Sequence, residues 1–134
     1  RNGDKALLKY TRKFDAPKIT AKALKVKASE VDRASKQVER PVMRAIQRAA
    51  RQIESFHRQQ KQQSWINTER PGTMLGQLVS PVGAVGIYVP GGQGGKTPLV
   101  SSVLMGAIPA NVAGVDRIGL VTPPTKSGKI NPNL

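Results

Sequence analysis

The chain has 134 residues, of which 38% are hydrophobic and 22% charged, a balance typical of a soluble globular protein with one modest core. It contains no cysteine, which excludes disulfides, thiolate zinc sites and a cysteine nucleophile. Its 22 Lys and Arg outnumber 8 Asp and Glu, and the formal charge of +14 indicates either solvated helix faces or a polyanion partner.

The first elements are short. Residues 4–14 have the periodicity of an amphipathic helix, and residues 24–28 alternate like a short strand. Ser29, with Asp32 three positions later, predicts the capped start of a second helix that ends near Glu39.

A long helix is predicted from Pro41 to Gln62, because a proline suits the first turn, where its missing N–H costs nothing. Its apolar residues recur at intervals of three or four: Val42, Ile46, Ala49, Ile53 and Phe56. Its opposite face carries arginines: Arg44, Arg48, Arg51 and Arg58. Such an apolar stripe must be buried against protein, and we expect part of it, or of the first helix around Leu7 and Leu8, to pack on a second chain.

Composition changes near residue 70, where polar sequence gives way to glycine-rich and β-branched sequence. We therefore expect a helical N-terminal region at 1–70 and the start of a nucleotide-binding α/β domain at 71–134. Residues 74–80 and 85–89 are predicted to pair as a hairpin at a sheet edge.

The most informative stretch lies between Pro81 and Pro124. An apolar run at 85–89 is followed by a glycine-rich turn, a helix-like segment at 97–113 and a second strand-like run at 117–121. This order predicts a βαβ unit whose two strands are parallel in one sheet. Because ligands of open α/β sheets bind at the carboxyl ends of the strands, the candidate site lies at the turn.

The glycine-rich turn matches neither standard nucleotide motif. A Walker A loop needs glycine where Pro90 stands, and the dinucleotide fingerprint needs glycine where Thr97 stands. Two interpretations stay open: the backbone N–H groups before the helix receive an anion or a cofactor edge, or the turn is a simple connection.

Four side chains near these elements are candidates for a role. Tyr88 ends the first strand and either packs on a planar ligand or fills the core. Ser101 and Ser102 open the next helix, where capping is favoured over a ligand contact. His57, the only histidine, is predicted to be an ordinary helix-surface residue, since a closed zinc site needs four ligands and an open one three.

Five runs of sequence carry a resemblance to a known family. They are RNGDKALLKYTRKFD at 1–15, IESFHRQQ at 53–60, VGIYVPGG at 85–92, PLVSSVLMGAIPANVAGV at 98–115 and RIGLVTPP at 117–124. In order and content they resemble histidinol dehydrogenase over nearly the whole chain. The departures are a longer glycine turn at 93–96 and a more basic first half.

That family oxidises L-histidinol to L-histidine in two NAD-dependent steps, uses zinc and forms an intertwined homodimer. The resemblance implies a histidinol-like amino alcohol as substrate and a second copy as partner. It implies NAD contacts at Tyr88, Pro90, Gly91 and Gly92, and it places no zinc ligand or acid/base residue in this chain. The implied fold is α/β, with N-terminal helices leading into a Rossmann-like βαβ layer of an incomplete doubly wound sheet.

The alternative hypothesis is a non-catalytic basic module that binds polyanions or a partner chain. Two Phe, two Tyr and one Trp are too few for a base-stacking platform, which argues against nucleic acid. The chain opens on Arg1 rather than Met, and we interpret it as an interior piece of a longer enzyme, inactive alone. No apolar run approaches the ~20 residues of a membrane span and no signal peptide is visible, so we expect a cytoplasmic protein.

Overall fold

The structure is a computed structural model that describes residues 2–91, 99–132 and 134. The helices are α1 (Gly3–Phe14), α2 (Ala28–Gln37), α3 (Arg40–Gln59) and α4 (Val100–Ala113). The strands are β1 (Trp65–Asn67), β2 (Leu75–Gln77), β3 (Ala84–Tyr88) and β4 (Arg117–Val121). In these ranges no helix is both long and apolar enough to cross a membrane.

The βαβ unit is formed by β3, α4 and β4. The two strands pair in parallel, with Ala84 opposite Arg117 and Tyr88 opposite Val121, and α4 contacts both strands. The helix ends at Gly114, whose φ of 88° lies in the left-handed region that glycine adopts without strain. The prediction of two parallel strands joined by a helix is therefore confirmed.

The fold class is confirmed as α/β. The described part of the parallel sheet contains β3 and β4 alone. A doubly wound order is a statement about more strands than these, so the Rossmann-like detail stays a prediction.

The predicted strand at 24–28 is wrong. A short 3₁₀ turn at Ala21–Ala23 precedes it, and α2 already begins at Ala28. Leu24 is half-buried while residues 25–28 are exposed. Alternation alone does not make a strand, and among the described residues no strand lies beside 24–28 to accept its backbone hydrogen bonds.

The start of α2 also differs from the prediction. Its N-cap position is Lys27 rather than Ser29, and the Glu30 carboxylate, not Asp32, accepts the Lys27 backbone N–H at 3.3 Å. The capping box thus lies two positions earlier than expected. Its second member is Glu30, the acidic residue of the first turn. The helix ends at Gln37, because Val38 has extended backbone with ψ of 128°.

The predicted pairing of 74–80 with 85–89 is wrong as well. β2 pairs antiparallel with β1, with Trp65 opposite Gln77 and Asn67 opposite Leu75. The reversal uses Gly72 at a φ of 75°, a value that favours glycine. β3 lies in the other sheet, where α4 covers its apolar side chains.

Helix α3 is close to its prediction and ends three residues earlier, with Pro41 in its first turn. It packs along α4, and this contact half-buries Ile46, Ala49 and Ile53. The two ends of the stripe are open, since Val42 is 46% exposed and Phe56 is 61% exposed. Only the centre of the stripe is therefore covered by this chain itself.

The chain covers little of its own apolar surface. Its accessible area is 10957 Å², whereas a compact protein of this mass exposes about 6,800 Å². Among the described residues the buried hydrophobic side chains are Ala16, Ile19 and Val89. Large apolar side chains on α1 and the hairpin, such as Phe14 and Leu78, face solvent.

Candidate functional site

The candidate site lies where β3 and β4 end side by side. Tyr88 and Val121 are the last paired residues, and the Val89 N–H donates to the Val121 carbonyl at 2.8 Å, which extends the ladder by one step. Val89 is only 1% exposed. The backbone is consequently held in place up to Pro90.

Tyr88 points away from the helix-covered face of the sheet. Along β3, Val85 and Ile87 are half-buried while Ala84, Gly86 and Tyr88 are exposed, as the period of two in a strand requires. The Tyr88 side chain is 65% exposed. Of the two interpretations left open by the sequence, the core-filling one does not fit, and the ring is free to meet a ligand or another protein segment.

Gly91 makes a close approach to the end of the neighbouring strand. It is buried, and a Cβ atom at this position would lie 2.8 Å from Cγ of Pro123. Real Cβ atoms essentially never come that close to another carbon, so a side chain here would force the backbone or the proline ring to move. Position 91 therefore requires glycine because a side chain would not fit, and not because the backbone has a positive φ.

Three of the four predicted cofactor-binding residues are therefore contiguous at one place. Tyr88 and the exposed Pro90 are on the surface, and Gly91 lies behind them against β4. Gly92 and the rest of the glycine turn, at 93–97, lie outside the described residues. Their role stays a prediction.

Thr122 was missed by the sequence analysis. Its Oγ1 is buried, and of the buried side-chain polar atoms in the described residues it alone has no hydrogen-bond partner. A buried hydroxyl without a partner costs about 1–3 kcal/mol. The signal was present: the rule that singled out the residues after β3 applies equally to the residue after β4.

The predicted capping role of Ser101 and Ser102 is wrong. The N-cap position of α4 is Leu99, which has no side-chain cap, and both serines lie inside the first turn. The Ser102 N–H donates to the Leu99 carbonyl at 3.0 Å. Because the helix starts before the serines, their hydroxyls cannot take the N-cap position.

His57 lies at the end of α3, half-buried rather than on the open surface. Its Nδ1 is 2.7 Å from the Gln60 Oε1, a hydrogen-bonding distance. The ring also stands edge-on to Phe56 at 5.3 Å between centroids. His57 lines a groove of about 440 Å³ with Pro81 and Ala113, at the amino end of β3 and so away from Tyr88.

Charge is concentrated on the outer face of α3. At 100° per residue, its arginines fall within about 80° of one another, on the side opposite the α4 contact. They are Arg40, Arg44, Arg48, Arg51 and Arg58. Only the pair between Arg58 and Glu54 joins opposite charges in the described part of the chain. No group of three or more His, Asp or Glu that could hold a metal occurs there either.

Comparison with known proteins gives one consistent result. The family model described as histidinol dehydrogenase matches residues 1–134. The histidinol dehydrogenase of Desulfotalea psychrophila is 49% identical over 134 residues, covering 100% of this chain and 31% of that protein. That of Nitratidesulfovibrio vulgaris is 51% identical over 132 residues, covering 98% of this chain and 30% of that protein.

A solved structure agrees. The crystal structure of histidinol dehydrogenase from Elizabethkingia anophelis superposes with a TM-score of 0.87 at 42% identity, covering 99% of this chain and 30% of that one. The chain thus spans about a third of the length of the relatives that it matches.

Proposed function

The chain belongs to the histidinol dehydrogenase family, and we propose that it is the front portion of an NAD-dependent oxidoreductase acting in histidine biosynthesis. The proposed substrate is a histidinol-like amino alcohol, and the proposed location is the cytoplasm. The observation that carries the proposal is the close-packed pair of strand ends, with the exposed Tyr88 ring beside the side-chain-free Gly91.

The residues at the strand ends suit a dinucleotide. The Tyr88 ring offers a flat apolar surface to a planar group, and Gly91, which packs against Pro123, lets the backbone beside that ring run close to the end of the neighbouring strand. Pro90 lies between these two residues in the chain, and Gly92 follows them. When bound, NAD supplies the hydride acceptor. The part of Tyr88, Pro90, Gly91 and Gly92 is to hold and orient it.

Zinc does not fit the residues of this chain. The sequence has one histidine and no cysteine, and the described residues contain no metal-ligand cluster. A dehydrogenase also needs a base for the hydroxyl proton, and His57 lies at the opposite end of β3 from Tyr88. We therefore propose that zinc ligands and acid/base residues belong to another part of the enzyme, and that these 134 residues alone are inactive.

The same proposal assigns different roles to the two parts of the chain. Residues 1–70 form a helical region and residues 71–134 begin the nucleotide-binding domain. The open ends of the α3 stripe, together with Leu7 on α1, are the surface by which two copies associate as a homodimer. The exposure of Val42 and Phe56 supports this assignment.

A chimera tests the function directly. This chain replaces the matching first third of the Desulfotalea psychrophila enzyme, and NAD reduction with L-histidinol is followed. We expect an active chimera, and a Tyr88→Ala variant whose KM for NAD rises about tenfold with a smaller change in kcat, as for lost binding. Ser101→Ala is the matched exposed control. A folded chimera without turnover contradicts the proposal, as does turnover by the isolated chain supplied with zinc.

A second candidate is favoured by the arginine face of α3. Four of its five arginines have no acidic partner among the described residues, and the face extends about 27 Å from Arg40 to Arg58. This arrangement suits a basic module that binds a polyanion. A gel-shift titration with nucleic acid across a salt series separates the two candidates, because a steep fall in affinity with salt marks counterion release and favours the module.

A further inference from the structure

We propose that Pro123, which follows β4, is a positioning residue that holds the segment Tyr88–Gly91, here named the strand-end ledge, in its binding position. The proposal rests on the proposed function, in which the ledge contacts NAD. Pro123 itself need not touch the cofactor. It acts through Gly91, the residue against which its ring packs.

The backbone ladder does not reach the end of the ledge. The Val89 N–H to the Val121 carbonyl, at 2.8 Å, is the last hydrogen bond between the two strands in the described residues. Pro90 has no N–H to continue it. Pro123 likewise cannot donate, so beyond Val89 the ledge is held to β4 by packing rather than by hydrogen bonds.

The packing partner of Gly91 is the Pro123 ring. An ideal Cβ on Gly91 would lie 2.8 Å from the ring Cγ, 3.6 Å from Cδ and 3.6 Å from the Pro123 carbonyl oxygen. The tight contact is therefore with the ring, and the backbone of Pro123 stays at ordinary contact distance. The rigid pyrrolidine closes a gap that a flexible side chain would leave variable.

This geometry predicts a compensating pair. Gly91→Ala introduces a methyl group that collides with the ring, which displaces the ledge. Pro123→Ala removes Cγ and Cδ, the ring atoms nearest that methyl group. If the contact positions the ledge, the double variant is closer to the parent than Gly91→Ala is, because neighbouring residues that share a contact are not additive.

The ledge carries its own spectroscopic probe. The chain has two tyrosines, Tyr10 and Tyr88, so 3-fluorotyrosine labelling gives two ¹⁹F resonances that a Tyr10→Phe variant assigns. We expect Gly91→Ala to shift or broaden the Tyr88 resonance while that of Tyr10 on α1 stays in place. Pro123→Ala alone should broaden the Tyr88 resonance slightly. The double variant, with Gly91→Ala and Pro123→Ala, should bring the position and width of this resonance most of the way back to those of the parent.

Matched controls are available on both strands. Gly86 is in β3, and a Cβ there meets no atom within 4 Å, so Gly86→Ala should leave the Tyr88 resonance unchanged. Pro124→Ala removes a proline ring one residue beyond Pro123. An effect of Pro124→Ala as large as that of Pro123→Ala overturns the proposal, since any proline would then suffice.

NAD titration of the same labelled chain gives the binding readout. We expect about tenfold weaker binding for Gly91→Ala and a double variant within about threefold of Pro123→Ala. A parent chain that binds no NAD contradicts the proposed function of the ledge, while the ¹⁹F comparison still decides the positioning role. A double variant no better than Gly91→Ala in both readouts overturns the positioning role, whether or not the parent binds NAD. If Gly91→Ala fails to fold, recovery of folding by Pro123→Ala supports the role and its absence contradicts it.

Discussion

The described residues form two small sheets that differ in what covers them. β3 and β4 pair over five residues, and α4 lies on one face, so Val85 and Ile87 are half-buried. β1 and β2 pair over three residues, and every one of these residues is exposed. Two paired strands are marginal in water unless another element packs on them. The comparison predicts that the βαβ unit is the stable part of the chain and the hairpin the labile part.

Val89→Asp is the substitution with the largest expected effect. Val89 is almost fully buried beside the end of β4, and a carboxylate there would be taken out of water, so we expect a loss of about 3–5 kcal/mol of unfolding free energy. Urea unfolding followed by circular dichroism measures it. Leu78→Asp, at a position 85% exposed beyond β2, is the control and should cost less than about 0.5 kcal/mol. Equal effects at both positions would remove the contrast between the two sheets.

Ile53→Asp tests the contact between α3 and α4 rather than the strands of the βαβ unit. Ile53 lies at the half-buried centre of the contact between α3 and α4, so a cost of about 2 kcal/mol is expected. Val42→Asp, at the open end of the same stripe, should leave the fold intact and dissociate the proposed homodimer. Light scattering at micromolar concentration measures the mass, and a monomeric parent chain refutes the dimer.

Trp65→Ala sharpens the comparison from the hairpin side. The Trp65 Nε1–H donates to the Gln77 Oε1 at 3.3 Å across the strands, one residue from the Ser64 hydroxyl, which accepts from the Val79 N–H at 2.9 Å. We expect faster amide hydrogen exchange in β1 and β2, with β3 and β4 unchanged and a global cost below about 1 kcal/mol. Loss of protection in β3 would show that the two sheets unfold as one unit.

Thr122→Val has the smallest expected effect and an unusual sign. The hydroxyl has no partner among the described residues, so replacing it by a methyl group of similar shape should leave thermal stability unchanged or raise it by up to about 1 kcal/mol. Differential scanning calorimetry measures the change. A clear loss of stability would show that the hydroxyl has a partner in the folded chain.

The sequence was sufficient for the elements whose signal is local. The α3 stripe repeats over the length of a long helix, and a helix between two consecutive strands leaves parallel pairing as the standard arrangement. The partner of β2 was predicted wrongly because the local sequence pattern fits pairing with either β1 or β3. The choice between them depends on tertiary packing, since β3 is covered by α4. The strand predicted at 24–28 failed for a different reason, since among the described residues no strand pairs with it.

The candidate site divides in a similar way. Tyr88 and Gly91 were predicted from position after a strand and from resemblance. The contact of Gly91 with Pro123 joins residues far apart in the chain, and only the folded backbone reveals that a Cβ on Gly91 would lie 2.8 Å from the Pro123 ring. The position of Thr122 directly after β4 could have been noticed in the sequence, but its missing hydrogen bond is a property of packing that only the structure shows.

The large accessible area of the chain affects how readily it associates with itself in solution. A chain that leaves aromatic and aliphatic side chains on α1, the hairpin and the ends of the α3 stripe open to water is prone to stick to copies of itself. The net charge of +14 opposes this, because like-charged copies repel over roughly 10 Å at 0.1 M salt. The basic surface therefore acts as an electrostatic spacer between copies of a chain whose apolar faces are uncovered. This repulsion between copies weakens as the ionic strength rises.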